Sequence, residues 1–98
     1  MTAAPLLLLL ALLAGCAPAD ACDPMCDAAA ARFAACLDEE GRTWGDAVGY
    51  ADEDDYDDWC ATYTWELRQL GAADTCAEKL PVFEDGTCTD YYDAWGDP

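Results

Sequence analysis

Apolar positions recur along this chain with helical spacing. Cys26, Ala29, Phe33, Cys36 and Leu37 stand at offsets 0, 3, 7, 10 and 11, one face of an α-helix. The helix is expected from about Pro24 to Glu40. Asp23 is placed to cap it, Pro24 suits its first turn, and Gly41 suits its stop. Glu39 and Glu40 meet the negative end of the helix dipole, so its last turn is expected to fray slightly. A second stripe follows: Tyr56, Trp59, Cys60, Tyr63, Leu67 and Leu70 lie at offsets 0, 3, 4, 7, 11 and 14. Its helix is expected to start between Ala51 and Asp55 and to end at Gly71. The connector from Arg42 to Ala51 carries Gly45 and Gly49, with Thr43 able to cap a short turn. Thr75-Cys76-Ala77-Glu78 has capping-box form and predicts a third helix, which Pro81 should keep short. Glu84-Asp85-Gly86 reads as a turn, and Thr89 to Trp95 as a last helical turn. No alternating run long enough for a sheet strand occurs. The pattern predicts an all-α fold, a small disulfide-rich three-helix domain.

The N-terminus departs from this periodicity. Leu6 to Leu13 are Leu and Ala only. The run is too short to span a bilayer, which needs about 20 apolar residues, but it suits the apolar region of a signal peptide. It closes on Leu13-Ala14-Gly15-Cys16. The stretch resembles the signal peptide of bacterial lipoproteins, with those four residues as the lipobox. No Lys or Arg precedes the apolar run, a departure from the usual form. The resemblance covers the first sixteen residues. It implies a signal peptide over 1–15 and a diacylglycerol-modified Cys16 with a short tether over 16–21; helical spacing, cysteines and charge predict an acidic helical, disulfide-rich domain over 22–98. The resemblance also implies a location outside the cytoplasm, held to the membrane by the acyl chains on Cys16, the outer membrane if the cell is Gram-negative. Ordinary secretion is the alternative. Ala17-Pro18-Ala19 and Ala19-Asp20-Ala21 both have the small-x-small form of a general cleavage site.

About 80 residues follow the leader, so few that the fold needs staples. Cys22, Cys26, Cys36, Cys60, Cys76 and Cys88 are suited to that role in an exported chain. Six cysteines allow 15 pairings. An antiparallel hairpin of the first two helices puts the end of one beside the start of the other. That predicts Cys36–Cys60, then Cys26–Cys76, with Cys22–Cys88 remaining.

Charge narrows the partners. The chain has 21 Asp and Glu against 4 Lys and Arg, a formal net charge of −17, which repels nucleic acid and anionic head groups and attracts cations and basic proteins. Its 4 Trp, 5 Tyr and 2 Phe argue against disorder. The sequence contains no His, Ser, Asn or Ile. With the six cysteines paired, no Ser-His or Cys-His machinery remains, and most histidine-based metal sites are excluded.

Three features carry candidate chemistry. The acidic run Asp52-Glu53-Asp54-Asp55-Tyr56-Asp57-Asp58 offers oxygen ligands for calcium, but it lacks the EF-hand spacing, and carboxylates also suit a helix N-terminus. Asp54 and Asp58 stand one turn apart, the spacing of a hydrolase carboxylate pair, without any supporting group elsewhere. Trp65 falls on the polar side of the second helix, opposite Tyr56. It reads either as an exposed contact for a partner or as a residue covered by the third helix or the Tyr91-Tyr92-Trp95 tail. Cover is the preferred reading, because a small domain needs every aromatic it has. The function expected is non-catalytic interaction with a basic envelope protein, no cofactor and no catalytic or metal residues. Cation binding by Asp52–Asp58 is the alternative, and a small hydrolase the third.

Overall fold

The computed structural model describes residues 20–47 and 49–95. The lipobox and Cys16 lie outside the described residues. The order of elements is α1 (Cys22–Glu39), a 3-10 turn (Trp44–Asp46), α2 (Glu53–Gln69), α3 (Asp74–Asp85) and α4 (Cys88–Ala94). Among the described residues there is no strand. The all-α, disulfide-rich class is therefore present, with four helices rather than three.

Local chemistry sets most of the boundaries. α1 opens at Cys22, whose backbone N–H donates to Asp20 Oδ1 at 3.0 Å. Asp23 and Pro24 consequently fall inside the first turn, where no intrahelical donor is required. α1 and α2 end alike. Arg42 N donates to Leu37 O and Gly41 N to Asp38 O, while Ala72 N donates to Leu67 O and Gly71 N to Arg68 O. This is the Schellman pattern, and the glycine in each holds a positive φ, 69° at Gly41 and 68° at Gly71. The expected fraying of α1 is opposed by Glu40, which accepts from Arg42 Nε at 3.0 Å and from the Tyr92 hydroxyl at 3.0 Å.

α3 departs from expectation at both ends. It begins at Asp74, and the Thr75 box is not used: the N–H groups of Thr75 and Cys76 go to the carbonyls of Ala72 and Ala73. It also continues through Pro81 to Asp85. Proline removes the bond to the carbonyl four residues back, that of Ala77. Ala77 and Pro81 are both on the exposed side, where water can serve that carbonyl. Two gains hold the extra turn. Phe83 is buried to 1 % exposure. Arg32 on α1 donates to the carbonyls of Phe83 at 3.0 Å and Glu84 at 2.7 Å, placing a cation at the negative end of α3. The turn at Gly86 follows, and Thr87 with Asp90 forms a reciprocal box that starts α4. At the 3-10 turn the Thr43 N–H and hydroxyl both donate to Asp46 Oδ2.

α1 is the central element. α2, α3 and α4 all lie against it. Each is also bonded to it by one disulfide: Cys26–Cys60 to α2, Cys22–Cys76 to α3 and Cys36–Cys88 to α4. All three predicted pairs, Cys36–Cys60, Cys26–Cys76 and Cys22–Cys88, are thereby corrected. The reason is register. Phe33 of α1 packs on Tyr56 of α2 with ring centroids 5.4 Å apart, so the start of α2 lies beside Phe33 and not beside Cys36. With Cys26 opposite Cys60, a position ten residues further along α1, about 15 Å on, meets the connector near Tyr50. Cys36 is then left to α4. The end of α2 does return to the start of α1, as the hairpin requires, but the partner of Cys76 is Cys22.

Phe33 is the hub of the core. It is 6 % exposed, and its ring lies 5.2 Å from Trp44, 5.4 Å from Tyr56 and 5.5 Å from Tyr91, stacked on the last. Met25, Ala29 and Leu37 extend the same buried face of α1. On α2 the buried line is Tyr56, Cys60 and Thr64, slightly rotated from the predicted stripe, which leaves Leu70 79 % exposed.

An aromatic cleft and an exposed tryptophan

Beside the core a cleft of about 520 Å³ opens between the connector, α2, α3 and α4. Tyr50, Trp59, Tyr63 and Trp95 form its aromatic walls, and Arg42 and Lys79 supply its charge. The walls brace one another. Trp59 and Tyr63, one turn apart on α2, stack at an interplanar angle of 12°. Trp95 stands edge-on to both, at 4.9 and 5.2 Å. Lys79 Nζ lies 5.4 Å from the centre of the Trp95 ring and donates to the Ala94 carbonyl at the end of α4. Arg42 is held by Glu40, whose carboxyl sits below its usual range because of Arg42 first and the Tyr92 hydroxyl second.

Next to the cleft are two buried phenols, Tyr91, which lines it, and Tyr56. The Tyr56 and Tyr91 hydroxyls lie 2.7 Å apart and share a hydrogen bond. Burial pushes Tyr56 up to about 12, and burial followed by the charge of Tyr56 raises Tyr91 further. The Trp95 indole N–H is buried near both hydroxyls and eases their ionisation, although it makes no hydrogen bond of acceptable geometry. For an acid whose folded pKa is raised, the stabilisation is complete below the unfolded value, near 10 for tyrosine, and is lost as pH rises through the folded value. The domain is therefore expected to lose stability steeply between about pH 10 and 12. The check is a denaturant titration at several alkaline pH values. Tyr91→Phe should weaken that dependence, and an unchanged slope would contradict it.

The acidic run lies elsewhere. Asp52 caps α2, accepting from Asp55 N at 2.9 Å, and Asp55 in turn accepts from Ala51 N at 3.0 Å. Glu53, Asp54 and Asp55 occupy the first turn, where the helix dipole favours them. Asp57 sits above its usual range, through partial burial first and then the charges of Asp54, Asp27 and Asp58. Among the described residues, no three or more His, Cys, Asp or Glu side chains are grouped to hold a metal. Asp54 and Asp58 are both exposed on α2 and do not converge on a cleft with a third group. Crowding of like charge makes a salt effect expected. Sodium chloride should raise the melting temperature, because screening acts over about 8–10 Å at physiological ionic strength. Calcium chloride at matched ionic strength should add little. A much larger calcium shift, removed by Asp54→Ala with Asp58→Ala, would make cation binding the leading function.

Trp65 is 60 % exposed, the most open aromatic among the described residues. The expected cover does not reach it. Trp95 of the C-terminal tail packs instead on Trp59 and Tyr63, on another face of α2. Arg68, one turn beyond Trp65, is drawn down to Asp20 by two bonds of 2.8 Å, with Asp23 at 3.4 Å. Those bonds hold the Asp20 carboxyl down to about 2. They also fasten the start of the domain to the end of α2.

No protein-family model matches the chain, and no curated protein or solved structure is significantly similar to it. Sequence spacing places Trp65 on the polar face of α2 and the acidic run at its start. It gives no sign of the cleft, whose six named residues come from the connector, two helices and the residue that follows α4. The one available signal is scarcity: of four cations in the sequence, two meet there.

Proposed function

We propose that the chain is a lipid-anchored envelope protein of a bacterium that acts by non-catalytic interaction with another, basic envelope protein. Trp65 carries the reading. A domain this small leaves a tryptophan largely in water on a helix whose first two turns carry five carboxylates. Exposed tryptophans are frequent binding hot spots, and the net charge of −17 would steer a basic surface toward it. The lack of His and Ser supports a non-catalytic role. The lipobox ending at Cys16 supports the anchor, since two or three acyl chains hold a protein essentially permanently, at about 0.8 kcal/mol per buried CH₂.

A photo-crosslinking residue at position 65, compared with one at exposed Asp85, tests the interaction in native membranes. The expected result is an adduct specific to position 65 that is lost at high salt. The same adducts from both positions would refute it. The anchor is read separately, by mass spectrometry of the N-terminus and by the fractionation of Cys16→Ala, which should leave the membrane. An unmodified chain beginning at Asp20 or Cys22 would make the protein secreted.

A further inference from the structure

We propose that the aromatic cleft binds a small molecule bearing a carboxylate on a ring. This stands apart from the Trp65 reading and uses none of its residues. The chain carries 21 carboxylate side chains and 4 cations, yet two cations and no carboxylate line this cleft. Glu40 pairs with Arg42 and neutralises it in part. Lys79 has no such partner: among the described residues no Asp or Glu forms an ion pair with it. Its bond to the Ala94 carbonyl employs one of the three donors of an ammonium group, leaving two. The global negative field opposes an anion at long range, but over about 8–10 Å it is screened, and the lining groups decide.

Shape supplies the second part. A volume of about 520 Å³ lies in the range of small-molecule sites. Trp59 remains 37 % exposed even with Tyr63 stacked on one side and Trp95 edge-on to it. A flat ring can lie on that wall while its carboxylate meets Lys79, with Arg42 adding positive charge to the lining. A cation on the same wall would be repelled by both. Two kinds of molecule share the chemistry, aromatic acids and acidic sugars.

The test uses the disulfide-bonded protein labelled with ¹⁵N, following the indole N–H signals of its four tryptophans. The probes are phenylacetate and glucuronate, with phenylacetamide, methyl glucoside and phenethylamine as neutral and cationic controls. At least one acid should shift the Trp59 and Trp95 signals saturably and leave Trp65 in place. A response to phenylacetate alone assigns an aromatic acid, and to glucuronate alone an acidic sugar. The matching neutral or cationic control should bind at least about tenfold more weakly, a difference of about 1.4 kcal/mol. Lys79→Gln should weaken binding by about the same factor, while Lys79→Arg, which keeps the charge, retains most of it even if both alter the melting temperature. Failure of both acids to saturate by about 10 mM, equal binding of a neutral control, or full affinity in Lys79→Gln would overturn the proposal.

Discussion

Phe33→Ala should unfold most of the molecule or leave it molten at neutral pH. The ring touches the connector, α2 and α4 together, through Trp44, Tyr56 and Tyr91. Removing a buried Phe typically costs about 3–5 kcal/mol, and a small domain has a total stability of about 5–15 kcal/mol. The cavity would lie beneath the cleft, so its aromatic walls should loosen as well. Chemical denaturation should show a large drop in midpoint, and the near-ultraviolet dichroism of the tryptophans should collapse. Phe33→Leu, which refills part of the space, should lose clearly less. A Phe33→Ala protein within about 1 kcal/mol of the parent would show that the aromatic cluster is not the core of stability.

Reduction should have the largest effect of all. The three disulfides join residues separated by 54, 34 and 52 positions. On the chain-entropy account, loops of this length are worth about 4 kcal/mol each, before strain and the overlap of the loops are deducted. Even at half that value the sum rivals the stability expected of the whole domain. Reductant is expected to cause cooperative loss of helical circular dichroism, and a thiol reagent should find no reactive cysteine among the six before reduction. Stoichiometric labelling of any of Cys22 through Cys88 in the folded protein would contradict the pairing. The Cys36→Ala with Cys88→Ala pair should preferentially release α4, a helix of seven residues that cannot hold itself in water.

What was legible in the sequence was short-range. The stripes from Cys26 to Leu37 and from Tyr56 to Leu67 are properties of a single helix, and both helices are present within a residue or two of their expected ends. Thr43 as a cap is local in the same sense. The extension of α3 past Pro81 was not legible, because it depends on Arg32 from another helix and on the burial of Phe83. The disulfide partners depend on how far α2 slides along α1, and the contact that fixes that register, Phe33 on Tyr56, joins residues 23 positions apart with no spacing rule between them. The exposure of Trp65 followed from its angle on the helix. Its expected cover failed because Trp95 finds better packing against Trp59 and Tyr63.

The attachment of every other helix to α1 by its own disulfide bears on how the molecule meets proteases. Each connector between helices carries exposed residues, which are natural sites of nicking. Because Cys22, Cys26 and Cys36 all belong to one helix, a cut in any single connector frees no helix from the assembly. The pieces stay covalently joined and keep their places around Phe33. A nicked molecule would migrate as one species until reductant is added. A protein whose surroundings contain degradative enzymes can thus be clipped without being dismantled, provided those surroundings remain oxidising.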